Sequence, residues 1–154
     1  MAAPAKELLN AGEICRRVTQ LVRAAVEPSI RVTAEVSPRT GWIHGNSREI
    51  EQMLLDLARN ARDAMPDGGD LLLSAANFDR ETGDRVERFV RIAVADNGIG
   101  IRPQVRKGAM AAMKRMGGEL RVRSAPGLGS SCEILLPRVE DAGLTAAAAL
   151  PAAA

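Results

Sequence analysis

Apolar residues recur at helical spacing through residues 13–26, at Ile14, Val18, Leu21, Val22, Ala25 and Val26, and Pro28 closes the segment. This pattern predicts a surface helix with one buried face. Ile30, Val32, Ala34 and Val36 then alternate with Arg31, Thr33 and Glu35, the period of a strand buried on one side. The stretch SPRTG turns the chain into a short strand at Trp42 and Ile43, so helix followed by hairpin is expected. Asn46 with Glu49 three residues later fits a capping box. The long helix it opens carries Ile50, Met53, Leu54, Leu57, Ala61 and Ala64 inward and stops near Met65, before Pro66 and the turn PDGG. Residues 71–76 and 88–95 read as strands joined by the polar loop NFDRETGDRVE. Residues 103–116 read as a short helix ended by Gly117 and Gly118. LRVRS and SCEILLP then close the pattern as two strands around the turn APGLGS.

The resulting order, α β β α β β α β β, predicts an α+β fold, a two-layer sandwich with helices on one face of a mixed sheet. A doubly wound parallel sheet fits less well. The expected organisation is an N-terminal extension over residues 1–12, one domain over 13–138 and an alanine-rich, frayed tail over 139–154. A length of 154 residues suits a single domain, and 46% apolar with 26% charged residues excludes global disorder. The net charge of +2 does not call for a polyanionic partner, and Trp42, Phe78 and Phe89 are the only aromatic residues. Stacking platforms for nucleic acid are therefore missing, and no nucleic-acid partner is expected. No apolar run approaches the ~20 residues of a bilayer span and the start lacks a leader pattern, so no membrane insertion and a cytoplasmic location are expected. Cys15 and Cys132 fall in apolar patterned segments and read as reduced core residues. Met110, Met113 and Met116, every third residue among alanines, read as a core stripe ahead of a groove for a partner helix.

Two segments could carry chemistry. Gln52, Asp56, Asn60 and Asp63, spaced by four, four and three, form a polar line beside the apolar face of the second helix. A carboxylate and a carboxamide one turn apart offer oxygen ligands suited to Mg²⁺ with substrate phosphates; the bland alternative is a solvated helix face. Asp96, Asn97, Gly98, Ile99 and Gly100 follow an apolar strand, where a carboxylate would emerge at a sheet's end. The glycines let backbone pass close to a flat ligand, although an Asp-Asn-Gly turn can also be purely structural.

LLDLARNARDAMPDGG resembles the N box, DNGIGI the first glycine box, and GGELRVRSAPGLGSSCEILLP the closing hairpin of the catalytic ATP-binding domain of sensor histidine kinases. That domain belongs to the superfamily shared with gyrase, Hsp90 and MutL, and the resemblance, over residues 13–137, implies its Bergerat-type sandwich. It further implies ATP or ADP as ligand, with Asn60 coordinating Mg²⁺ and Asp56 in the position of the water-activating residue. Asp96 would receive the adenine amino group, Gly98 and Gly100 would border the nucleotide, Ser130 would support the adenine contact, and Asp63 would lie near the phosphates.

The departures bear on activity. The family normally inserts a long lid after the first glycine box, with a phenylalanine motif and a second box of the form GTGLGL. Here sixteen residues, from Ile101 to Met116, separate Gly100 from Gly117. Gly108, with Lys107 and Arg106 beside it, is left to replace part of the phosphate cradle, or else marks a basic helix start. His44, the only histidine, sits in GWIHGN and not on a dimerisation helix, so it reads as a turn residue and self-phosphorylation is not expected. The expected function is nucleotide binding with weak or absent phosphotransfer by the domain alone. The alternative is a pseudokinase-type module that docks a receiver domain or a histidine-bearing helical dimerisation domain.

Overall fold

The structure, a computed structural model, describes residues 6–100 and 107–139. The start of the third helix expected at Pro103 and the alanine-rich tail beyond Val139 lie outside these residues.

Strand β1 (Glu7–Asn10) leads into helix α1 (Ala11–Ala25). Asn10 caps α1, its side-chain oxygen accepting from the N–H of Glu13 at 3.0 Å. Strands β2 (Ile30–Val36) and β3 (Trp42–Gly45) follow. Helix α2 (Ser47–Asp63) is capped in the same way by Asn46, which accepts from the N–H of Glu49 at 3.0 Å. Strands β4 (Gly69–Thr82) and β5 (Arg85–Asp96), helix α3 (Lys107–Arg115) and strands β6 (Glu119–Ala125) and β7 (Gly129–Pro137) complete the chain.

Five strands form one sheet in the order β2-β4-β5-β7-β6, with β2 parallel to β4 and the other pairs antiparallel. Register explains the core. Leu73, Val94, Cys132 and Val122 stand side by side across β4, β5, β7 and β6, as do Ala75, Ile92, Ile134 and Leu120. Alternation places these rows on one face. Against them pack Ile14, Cys15, Val18 and Val22 of α1 and Ile50, Met53, Leu54, Leu57 and Ala61 of α2, in one buried cluster. The expected two-layer sandwich with a mixed sheet is therefore present. The opposite face keeps its apolar groups under arginines: Arg80 lies 5.0 Å from the Phe89 ring centre, and Arg91 and Arg121 lie 5.9 and 5.6 Å from that of Phe78.

Three expectations at the strand level need correction. Residues 7–10, read as part of an extension, form β1. β2 and β3 do not make a hairpin; β3 pairs antiparallel with β1 in a separate two-stranded sheet, Leu9 opposite Ile43. The intervening turn is tied to β4 instead, because Ser37 N–H and the Thr40 hydroxyl both donate to the carbonyl of Ala75, at 2.9 and 3.2 Å. The Asn77 side chain holds the turn further, accepting from Gly41 N–H at 2.8 Å and donating to the Arg39 carbonyl at 2.7 Å. Finally, NFDRETGDRVE is no loop. It is the outer half of one long hairpin, with Thr82 opposite Arg85 around a two-residue turn. Gly83 at φ +61° supplies the left-handed first position that such a turn requires.

Cys15 and Cys132 are buried and free, as expected. Burial pushes the Cys15 thiol from its ordinary 9.0 up to about 11, partly offset by its hydrogen bond with Thr19. The methionine stripe divides: Met113 and Met116 are in the core and Met110 is about half exposed.

Candidate functional site

β5 sits in the middle of the sheet, and its last residue, Asp96, faces Ser130 of β7 in register. Asp96 therefore emerges at the sheet's end on the helix-bearing side. Its Oδ1 accepts from the N–H groups of Gly98 and Ser130 at 2.9 and 3.3 Å, and its Oδ2 accepts from the Ser130 hydroxyl at 2.7 Å. Ser130 is buried, 7% exposed, so this hydroxyl is fixed. An ionised carboxylate offers about four acceptor positions. Three are used, and Asp96 also lines a cavity of about 310 Å³ with Ser124, Leu128, Gly129, Ser130 and Arg123.

The glycine segment after Asp96 is wedged between two backbones. Ile99 N–H donates to the Ala64 carbonyl at the end of α2, at 3.0 Å, and the Ile99 carbonyl accepts from Gly127 N–H at 3.1 Å. A Cβ on Gly98 would lie 2.3 Å from the Ala64 oxygen, and one on Gly100, at φ +81°, would lie 2.1 Å from the Ala125 oxygen. Both glycines are thus required by packing before any ligand is considered. Asn97 anchors the segment from the other side, accepting from Asp70 N–H at 2.8 Å and donating to its carboxylate at 3.1 Å.

Asp56 faces a second cavity, of about 470 Å³, between α2 and α3, with Arg48, Glu49, Gln52, Met53, Gly108, Ala109 and Ala112. Asp56 accepts from Gln52 at 3.1 Å and pairs with Arg59 at 3.5 Å. Arg115 of α3 is ion-paired with the cavity-lining Glu49 of α2, which fastens the short helix to the long one. Gly108 lines the same cavity as Gln52 and Asp56, with open space where a Cβ would be.

The structure therefore joins Asp96, Gly98 and Ser130 by direct contact and brings Asp56 to a separate cavity between α2 and α3. Asn60, half-buried, lies one turn further along α2, between Asp56 and the end of the helix at Ala64. Asp63 is well exposed and pairs with Arg62 at 3.3 Å, and it lines neither cavity. His44 is exposed on β3. Among the described residues no three His, Cys, Asp or Glu side chains gather as a metal cage. Sequence reasoning missed Arg48, Gly129 and Ala64. Gly129 carried a signal, since a Gly-x-Gly in a hairpin turn marks close backbone approach; Arg48 and the Ala64 carbonyl carried none.

No helix among the described residues is long and apolar enough to cross a membrane. The profile of the family described as histidine kinase-, DNA gyrase B-, and HSP90-like ATPase matches residues 45–140. The sensory histidine kinase/phosphatase NtrB of Shigella flexneri is 32% identical over 96 residues, covering 60% of this chain and 28% of that protein. Sporulation kinase C of Bacillus subtilis (strain 168) is 25% identical over 145 residues, covering 84% of this chain and 33% of that protein. The chain thus spans about a third or less of these relatives. Its fold superposes on the mycobacterial sensor histidine kinase MprB with a TM-score of 0.68 at 22% identity, covering 87% of this chain and 98% of that one. Full-length ShkA, solved in complex with AMPPNP, superposes with a TM-score of 0.69 at 22% identity, covering 90% of this chain and 32% of that one. The sandwich, the order of the motifs and the family match agree, and the chain belongs to the histidine kinase-, DNA gyrase B- and HSP90-like ATPase family.

Proposed function

We propose that this domain binds ATP or ADP at the end of β5, with Asp96 as the group that recognises adenine. The observation that carries this reading is the Asp96 carboxylate itself. Three hydrogen bonds fix it, it keeps acceptor capacity to spare, and it lines a cavity, a combination suited to receiving an exocyclic amine. Ser130 holds the carboxylate in place, Gly98 lets the loop lie against the α2 terminus and Gly100 lets it lie against the β6–β7 turn, and the loop so held borders the ligand.

The residues present also fit Mg²⁺. Asn60 offers a neutral, hard amide oxygen. Such an ion needs only one or two protein oxygens, with phosphates and water supplying the rest. Bound there, Mg²⁺ would neutralise phosphate charge. Asp56, one turn on, is placed to hold a proton or orient a nucleophile, and Asp63 lies at the solvent rim of the phosphate side.

Phosphoryl transfer depends on positioning and charge neutralisation around the transferred group. The sixteen residues between Gly100 and Gly117 leave little chain for a glycine-rich lid, so the domain alone binds nucleotide and transfers its phosphate slowly. The partner would be a histidine-bearing helical dimerisation domain or a receiver domain, since the single histidine, His44, lies on the short strand β3 and not on a helix.

Calorimetric titration with ADP tests the reading. Wild type should bind, and Asp96→Asn, nearly isosteric, should lose about ten- to hundredfold in affinity, the worth of one charge-assisted hydrogen bond of roughly 1.5–3 kcal/mol. Failure of wild type to bind at millimolar ADP would leave only a docking module with a shared fold.

A further inference from the structure

The cavity between α2 and α3 holds one charge that the adenine reading does not use. Arg48, on the first turn of α2, lines the cavity, is exposed, and has no hydrogen-bond or ion-pair partner among the described residues. The two carboxylates on the same wall are both matched. Glu49 is paired with Arg115, and Asp56 with Arg59 and Gln52. Lys107 opens α3 directly before the cavity-lining Gly108. A concave site whose acids are neutralised and whose remaining base is unmatched favours an anion.

Helix α2 also acts as a ruler. Its C-terminal end at Ala64 touches the loop of Asp96 through the bond from Ile99 N–H. At about 1.5 Å per residue, Asn60 lies about 6 Å from that end, Asp56 about 12 Å, Gln52 about 18 Å and Arg48 about 24 Å. A nucleotide anchored by its base at Asp96 and passing Asn60 would bring its last phosphate, and not its first, towards Asp56, whose cavity the Arg48 side chain lines from the other end. We propose that Arg48 is a positioning residue for the terminal phosphate, so that it discriminates nucleoside triphosphate from diphosphate. This rests on the nucleotide reading above. It assigns to the first turn of α2 a part of the charge complementarity that a longer glycine lid would otherwise supply. A long, flexible guanidinium suits the task because it donates to phosphate oxygens in pairs.

The experiment compares ADP with the non-hydrolysable triphosphate AMPPNP, titrated calorimetrically into the full chain, as wild type, Arg48→Gln, Arg48→Lys and Arg16→Gln. The last removes one exposed positive charge from α1 and controls for net charge. Arg48→Gln should weaken AMPPNP about five- to tenfold, an exposed charge-assisted contact being screened by water, while ADP stays within about twofold. Arg48→Lys should recover part of the preference, and Arg16→Gln should change neither ligand. Arg48 is exposed, so an unchanged melting temperature will show that the variant is folded. Equal effects of Arg48→Gln on the two nucleotides, or none on either, would overturn the assignment while leaving Asp96 untouched. Absence of ADP binding by wild type would overturn the nucleotide reading and this inference with it.

Discussion

Gly129→Ala is the substitution that best separates close packing at the site from ordinary turn strain. Gly129 opens β7 at φ +93°, and a Cβ built there lies 2.0 Å from the carbonyl oxygen of Asp96 and 2.8 Å from the Cα of Asn97. All of these neighbours are backbone, so no side chain can swing aside. β7 must then move away from the end of β5, at the register pair where Ser130 holds the Asp96 carboxylate. Two costs follow. A non-glycine residue in the left-handed region costs about 1–2 kcal/mol, and overpacking that shifts backbone costs about 1–3 kcal/mol more. Gly127→Ala, two residues earlier at φ +77° with nothing within 4 Å of its Cβ, carries the first cost alone. Gly83→Ala at the distant hairpin tip, φ +61° and equally open, does the same. Urea denaturation of the three variants should therefore place Gly127→Ala and Gly83→Ala together at about 1–2 kcal/mol, with Gly129→Ala lower by a further ~1–3 kcal/mol. ADP affinity should fall in Gly129→Ala and hold in Gly83→Ala. Equal losses of stability for Gly129→Ala and Gly127→Ala would refute the claim that backbone contact with β5 defines this corner of the site.

Further outcomes concern separate parts of the molecule. Asn60→Ala should abolish the Mg²⁺ dependence of ATP affinity while ADP binding without metal persists, as read by calorimetry with and without the ion. Cys15, its thiol pushed up to about 11, should resist alkylation at pH 8 in the native protein and react on unfolding. Because the folded thiol is raised above its ordinary 9.0, the stability it contributes is complete below pH 9 and is lost as pH rises towards 11, which thermal melts across that window will show. On the arginine-covered face, Arg80 donates to Glu119 at 2.9 and 2.7 Å and to Glu87 at 3.2 Å. Hydrogen bonds to Arg80 hold both carboxyls below their ordinary value of 4.5, so the stability they add is present above that range and is lost as pH falls through the lowered values. Arg80→Gln should flatten this acid limb of a pH-melting profile.

The layers were legible from the chain because burial on one face writes a period into the sequence. α2 shows this well: its cap, its apolar positions and its stop at Pro66 each have a local cause, and all three hold. Pairing was less legible. Val32 and Val36 announce a strand but not its neighbour, and the choice of β4 over β3 is made by Asn77 and the Ala75 carbonyl, 35 or more residues away. β1 was hidden because four residues are too few to show a period. The outer half of the β4–β5 hairpin lies beyond the core, where Phe78 and Val86 are the only large apolar side chains of residues 77–87 and the alternation that marks a strand is absent. The site divides along the same line. Asp96 and its glycines could be read from their place after an apolar strand. The Ala64 carbonyl under Gly98 and the charge of Arg48, unmatched among the described residues, could not, because backbone proximity and charge balance are products of the tertiary fold.

The central claim is that one carboxylate at the end of β5 recognises adenine. Amide spectra recorded during an ADP titration test it most directly, since they report affinity and location together. Saturable shifts should centre on Asp96, Gly98 and Ser130 and extend along α2 past Ala64 to Asn60, and Asp96→Asn should remove them. Saturation with shifts confined to other surfaces, or a spectrum unchanged at millimolar ADP, would contradict the account.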